Sequence, residues 1–183
     1  MSQHFYDACS AGDLPAVKSQ IADGDTKLVG GISLAAQAGH SDVVRYLLSQ
    51  SAGEKSSELV NALYVASQNG HIQVVRLLLE HGVPVDADAY FGRRALHAAA
   101  THGHVDVIRL LLGAGAECDA RDDDGATPLA EAVLNRRHEA AQALVAEGAD
   151  ATVEAGDGSS PLSMALDRDD REMLDLLKPG KDH

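Results

Sequence analysis

The side chains of this 183-residue chain that could bind a metal are mainly its nine histidines. Three of them, His97, His102 and His104, lie close together in the sequence, and imidazole is the commonest metal ligand in proteins. Their spacing does not match the ligand sets of tetrahedral zinc sites, so we expect no bound metal. A metal-dependent hydrolase built on these three histidines is the rival interpretation.

Other kinds of catalytic or binding chemistry find little support in the sequence. Four aspartates in residues 119–124 lack the alternating ligands and distal glutamate of an EF-hand loop, so we interpret them as a solvated loop. Cys9 and Cys118 could act as nucleophiles, but neither has a histidine in a recognisable local motif. Neither phosphate-binding motif, GxxxxGK[ST] or GxGxxG, occurs. The sequence therefore predicts no catalytic residue, no cofactor and no enzyme.

The charge of the chain restricts its partners. The net charge is −13, which repels nucleic acid and anionic membrane surfaces and attracts basic proteins. Residues 117–183 carry 17 acidic and 7 basic side chains, whereas residues 1–116 carry 11 and 8. We recognise no signal peptide and no membrane-spanning segment, and two isolated cysteines favour a reducing compartment. We therefore expect a cytoplasmic protein, and a monomer.

The elements that position these side chains recur with a period of 33 residues. Gly70-His71 returns as Gly103-His104, and the apolar run at 74–79 returns at 107–112. Further steps of 33 lead from Leu96 to Leu129 and Leu162. Upstream the steps shorten to 31 and 27 residues, in loops that tolerate length change. One domain of six units results, at about 1–29, 30–57, 58–90, 91–123, 124–156 and 157–183.

Each unit is predicted to form two short helices around a turn. In unit four an alanine-rich segment at 96–102 is followed by Gly103 and by a segment at 105–113 with apolar residues at helical spacing. Such a unit cannot bury its own apolar face, so the units must stack. The expected fold class is all-α, a solenoid of six helix-turn-helix repeats joined by short hairpin-like loops.

Some segments depart from the repeat. Arg136 and Asp169 replace the turn glycine in units five and six. This replacement should raise the conformational free energy of these turns, and unit six should be the first to fray. The connection at 49–57 should be the most mobile. The first and last units should present polar outer faces, as expected of a complete array.

The repeat resembles the ankyrin repeat, which has a period of 33 residues and the signature T-P-L-H-x-A. The closest segments are 127–132 (TPLAEA) and 160–165 (SPLSMA), and His97 occupies the signature histidine position in unit four. The resemblance implies structural roles for His97 and for the histidines of the Gly-His pairs. It also implies binding of other proteins without specifying which.

Tyr90 and Phe91 are hard to explain as scaffold residues. They lie on the connection between units three and four, where ankyrin proteins present a hairpin tip, and the chain has only six aromatic residues. Exposed aromatics are typical of binding hot spots. The alternative is that the ring of Phe91 folds back onto Leu63 or Ala95.

The resemblance implies a partner-binding surface made of the hairpin tips and the exposed side of the first helices. By register its residues are Asp88, Tyr90, Phe91, Arg93, Thr101, His102, Arg121, Asp123, Asp124, Leu134, Asn135, Glu154, Asp157, Asp167 and Arg168. We predict a non-catalytic adaptor or inhibitor that binds a protein with a basic surface. The alternatives are an immunity-type protein that masks the active site of a toxin, and a passive spacer.

Overall fold

Twelve α-helices make up the fold in the computed structural model, which describes residues 2–22, 28–51 and 57–178. They are α1 (Ser2–Ala11), α2 (Leu14–Ala22), α3 (Leu28–Ala38), α4 (Ser41–Gln50), α5 (Ser57–Gln68), α6 (Ile72–Glu80), α7 (Ala95–His102), α8 (Val105–Gly113), α9 (Pro128–Leu134), α10 (His138–Ala146), α11 (Pro161–Asp167) and α12 (Arg171–Leu177). No β-strand is present in these three ranges, apart from an isolated antiparallel bridge between Tyr90 and Arg93. The predicted all-α fold is confirmed.

Each expected unit contains one helix pair. The pairs run from α1 and α2 in unit one to α11 and α12 in unit six. Helices α3 and α5 begin at Leu28 and Ser57, slightly before the boundaries expected at 30 and 58. The expected mobile connection at 49–57 falls mostly on residues 52–56, which lie outside the described residues.

The helices stack in two rows, as the repeat predicts. The first helix of each unit packs on the first helix of the next, and the second helices do the same. Alanine is the commonest buried residue of the first helices, and its small side chain lets neighbouring backbones approach. The buried alanines of the first helices are Ala8, Ala35, Ala36, Ala62, Ala66, Ala95, Ala98, Ala99, Ala100, Ala130, Ala132 and Ala165.

The turn between the two helices of a unit also joins that unit to the next. Gly39 has a left-handed φ of 81°, and a Cβ atom there would lie 2.7 Å from the imidazole of His71. The ring of His71 packs on this glycine, and its Nε2 donates to the carbonyl of Gln37 at 3.0 Å. The same bond joins His40 to Ser10 and His104 to Gln68. The structural role predicted for these histidines is confirmed.

The turns of units five and six keep this geometry without glycine. Arg136 and Asp169 take left-handed φ values of 55° and 48°, a conformation that costs a residue with a Cβ atom about 1–2 kcal/mol. Arg137 replaces the histidine, and its Nε donates to the carbonyl of Thr101 at 3.1 Å. The predicted strain at Arg136 and Asp169 is therefore present in the backbone.

The outer side of unit six is less polar than expected. Leu166 of α11 is 59% exposed, whereas Val133, the equivalent residue of α9, is only 3% exposed. Packing of α11 on α9 accounts for the burial of Val133. Charged residues do surround this side, but an apolar residue lies among them.

No helix within the described ranges is both long enough and apolar enough for a membrane crossing.

Candidate functional site

Three hairpins lie side by side along one edge of the solenoid. Each is closed by a backbone hydrogen bond, at 89–93, 122–126 and 155–159. Neighbouring tips are joined as well, because the amide of Asp123 donates to the carbonyl of Phe91 at 3.0 Å and that of Gly156 to the carbonyl of Asp124 at 2.7 Å. We call residues 88–93, 121–126 and 154–159 the tip row; each hairpin spans a unit boundary and is named after the unit that it leads into. It forms one continuous surface of units four, five and six.

The hairpin of unit four has a different turn from its neighbours. In unit five the turn closes from the amide of Gly125 to the carbonyl of Asp122, and unit six repeats this bond. In unit four the amide of Arg93 instead donates to the carbonyl of Tyr90 at 2.8 Å. Phe91 and the glycine after it both have positive φ, 50° and 71°, as a type I′ turn requires. Asparagine or glycine is favoured at the position that Phe91 occupies.

The side chain of Phe91 projects into solvent. It is 81% exposed, so the alternative that its ring folds back onto Leu63 or Ala95 is wrong. Phe91 is thus a large apolar group on a well-defined turn.

Tyr90 instead supports the hairpin, although 47% of it is exposed. Its hydroxyl donates to Oδ1 of Asn61 at 2.6 Å. Its ring meets that of Tyr64 edge to face, with centroids 5.4 Å apart. Asn61 and Tyr64 belong to α5, so Tyr90 ties the tip of unit four back to unit three.

Arg93 ties the same hairpin forward to unit five. Its Nη1 donates to Oε1 of Glu131 at 2.6 Å, and its Nη2 donates to the hydroxyl of Thr101 at 2.9 Å. The Thr101 hydroxyl lies 2.9 Å from Oε2 of Glu131, and Asp122 lies 3.7 Å from the guanidinium. Partial burial lowers the pKa of Arg93, but the hydrogen bond and the charge of Glu131 outweigh it, so that the pKa is raised. Arg93 therefore stays charged within this network.

The carboxylates around the tip row fall into two groups. Asp86 and Asp119 are used internally, since each accepts from a backbone amide of the next unit, that of Glu117 and that of Asp150 respectively. In contrast, four exposed carboxylates form no hydrogen bond or ion pair with any residue in the described ranges. These are the side chains of Asp88, Asp123, Asp124 and Glu154.

Asp157 and Arg121, also predicted for this surface, are exposed but partly engaged. Oδ1 of Asp157 accepts from the amide and the hydroxyl of Ser159, and these hydrogen bonds lower the pKa of Asp157. Arg121 donates to the carbonyl of Glu154 at 2.9 Å. The tip row thus presents five carboxylates and one guanidinium to solvent beside Phe91.

The other predicted residues lie at the opposite ends of the first helices. A helix of eight residues such as α7 spans about 12 Å, and this length separates them from the hairpins. All are exposed except Thr101, which is half-buried in the Arg93 network. This second group consists of Thr101, His102, Leu134, Asn135, Asp167 and Arg168. The predicted surface is therefore two groups of residues along one face.

The side chains that hold the unit-four hairpin were not predicted. Asn61, Tyr64 and Glu131 contact it across unit boundaries. The sequence does give one indication that Glu131 has a partner, because this carboxylate occupies the position at which unit four has the buried Ala98. A buried carboxylate needs a partner, and an arginine at the hairpin of the preceding unit is a natural one.

The three histidines of the rival interpretation do not converge on one point. His97 is fully buried; its Nδ1 accepts from the amide of Arg94 at 3.2 Å, and its Nε2 donates to the carbonyl of Ala126 at 3.1 Å. Burial lowers the pKa of His97, so the ring is neutral. His104 binds a backbone carbonyl through Nε2. Within the part of the chain that is described, no three histidine, cysteine, aspartate or glutamate side chains are arranged to hold a metal.

The two cysteines are free thiols of low reactivity. Cys9 is buried and Cys118 half-buried, and burial raises the pKa of each to about 11. At neutral pH both are therefore protonated, and the thiolate required for nucleophilic attack is scarce.

The repeated units of the chain match a model of a known protein family. A family model described as ankyrin repeats (3 copies) matches residues 5–89, 32–122 and 96–183. These ranges span nearly the whole sequence, and each contains close to three of the six units. No curated protein matches the chain.

Proposed function

The chain belongs to the ankyrin-repeat family, whose repeats generally mediate protein–protein interaction, and from this we propose that it is a non-catalytic module that binds a protein with a basic surface. The binding surface is the tip row together with the exposed side of the first helices. Depending on what the partner does, the module acts as an adaptor or as an inhibitor, and the surface is the same in both cases.

Phe91 is the observation that carries this proposal. Its exposed ring loses the free energy that burial would provide, about 1.5–3 kcal/mol for a large apolar side chain. Its left-handed backbone costs about 1–2 kcal/mol more. No contact within the described chain offsets these costs, since the ring is exposed. A partner that covers the ring offsets the first of them, and aromatic residues are the usual centres of protein interfaces.

The free carboxylates of the tip row support a basic partner. Asp88, Asp123, Asp124 and Glu154 are exposed and have no cationic neighbour within 4 Å among the described residues. Surface charges of one sign accelerate encounter with an oppositely charged protein and disfavour wrong partners. The expected partner presents an apolar pocket for Phe91 flanked by lysine or arginine.

The proposal places the protein in the cytoplasm as a monomer. Its free thiols, one buried and one half-buried, are compatible with a reducing compartment. An immunity-type inhibitor of a basic toxin is included as one form of the inhibitor role, since such a partner has the same surface chemistry.

The test is a comparison of single-residue variants in capture of partners from the native lysate. Phe91→Asn removes the ring and retains a residue that tolerates left-handed φ, so the turn is preserved. Leu166→Asn is the matched control, because Leu166 is also exposed but lies outside the tip row. We expect Phe91→Asn to weaken binding of the captured protein at least about 10-fold, as for a hot-spot aromatic. Equal loss in both variants, or in neither, would contradict the proposal.

A further inference from the structure

Glu131 lies beneath the hairpin of unit four, and we infer that it is a positioning residue for partner binding, acting on Phe91 through Arg93. This inference rests on the proposed function, since it concerns the same surface. It assigns Glu131 a role that the residue performs without touching the partner.

The contacts run in a short chain from Glu131 to the tip. Arg93 follows Phe91 by two residues and pairs with Tyr90 across the turn. Its guanidinium is held at 2.6 Å by Glu131 from α9 and at 2.9 Å by Thr101 from α7. The returning arm of the hairpin is therefore fixed to helices of two successive units.

Glu131 is suited to hold a group in one position. It is only 8% exposed, and its two oxygens have different partners, Arg93 at Oε1 and Thr101 at Oε2. Hydrogen bonds between charged groups are strong, and a fully satisfied buried network is rigid. Because so little of Glu131 reaches solvent, its effect on a partner must pass through the side chains that it holds, and Arg93 is the one that belongs to the hairpin of Phe91.

Stacking of the helices does not require this ion pair. The residue equivalent to Arg93 in unit five is Ala126, and the residue equivalent to Glu131 in unit four is Ala98. Neither neighbouring junction has an ion pair at these two positions, so neighbouring units stack without one. Replacement of a buried ion pair by well-packed apolar residues of similar volume is often neutral for stability. The pair occurs at the hairpin that bears Phe91, where a fixed turn reduces the entropy lost on binding.

The test uses a double variant with apolar residues from the neighbouring junctions, Arg93→Val, as in Val60, with Glu131→Met, as in Met164. Three quantities are measured: the urea unfolding midpoint, hydrogen exchange of the Asp123 amide, which donates to the carbonyl of Phe91 at 3.0 Å, and the Kd for the protein captured by the wild type. Arg94→Ala is the matched control, because Arg94 pairs with Glu117 and not with the network.

We expect the double variant to keep the unfolding midpoint of the wild type. Its Asp123 amide should exchange at least tenfold faster, and its Kd should rise at least tenfold, with neither change in Arg94→Ala. Unchanged exchange overturns the inference whatever the Kd, because a loss of affinity alone would mean that Arg93 contacts the partner directly. Faster exchange with unchanged Kd overturns it as well. Hydrogen exchange is measured in the free protein, so its result does not depend on the partner. The proposed function is tested separately, and it fails if the Phe91→Asn variant binds the partner normally.

Discussion

At the scale of single residues, Ser67 is a buried polar group whose hydroxyl has no partner. It is fully buried in α5, and its Oγ makes no hydrogen bond within the described residues. The equivalent residues in units two and four, Ala36 and Ala100, are alanines. An unsatisfied buried hydroxyl costs about 1–3 kcal/mol, and serine is a poorer helix former than alanine.

We therefore expect Ser67→Ala to raise the free energy of unfolding by about 1 kcal/mol, measured by urea denaturation. Ser51→Ala is the matched control, because the hydroxyl of buried Ser51 donates to the carbonyl of Leu48 at 3.1 Å, and its removal should be destabilising. A loss of stability in Ser67→Ala would show that its hydroxyl is satisfied after all.

His97 makes stability depend on pH. Burial lowers its pKa from the ordinary value of 6.5, so below that pH the unfolded chain binds a proton that the folded chain does not. Stability from this group is present above about pH 6.5 and is lost as the pH falls, by at most about 1.4 kcal/mol per pH unit.

The measurement is the pH dependence of the unfolding free energy in the wild type and in the variant His97→Ala. Alanine is the natural residue at the equivalent position of unit five, Ala130. Between pH 7.5 and 5.5, values chosen on either side of about 6.5, the wild type should lose more stability than the variant. Parallel curves would mean that His97 binds a proton equally in both states.

At the scale of elements, the turn of unit five carries removable strain. Arg136 has a φ of 55°. It pairs with Asp170 at 3.4 Å, but its own side chain is 69% exposed although that of Asp170 is only 9% exposed, so the ion pair contributes little. Arg136→Gly should raise the free energy of unfolding by about 0.5–1 kcal/mol, because relief of the left-handed strain exceeds the entropy that glycine adds to the unfolded chain. Urea denaturation measures this change.

Asp169→Gly serves as the comparison for Arg136→Gly. Asp169 has a φ of 48°, but aspartate tolerates this conformation better than arginine, so its gain should be smaller. A larger gain at Asp169 would show that backbone strain does not explain the difference.

The helices could be predicted from the sequence, and the contacts of the tip row could not. Apolar spacing and the repeated Gly-His turns are local signals, and they placed α7 and α8 to within a residue. The turn of Phe91 is shifted by one residue from the turns of units five and six, and no short-range sequence pattern indicates that shift. Arg93 was predicted to face a partner, but it bonds to Glu131, 38 residues away, and such a pairing is set by the stacking of units.

At the scale of the whole molecule, the free carboxylates of the tip row all lie along one edge of the solenoid. Binding to a basic partner should therefore weaken with salt, since the Debye length shortens from about 10 Å at 0.1 M to about 3 Å at 1 M. We expect the association rate constant to fall on the order of tenfold over this range, with a smaller change in dissociation, as measured by surface plasmon resonance. Salt-independent association would remove the carboxylates from the explanation.

The histidine contacts between units have a direction, and this bears on how the chain is made. His40, His71 and His104 each donate to a carbonyl of the preceding unit. A chain leaving the ribosome thus presents every acceptor before its donor is synthesised. Each new helix pair can dock on a unit that is already folded, so the protein can grow vectorially during translation, and only the apolar face of the newest unit awaits a later segment.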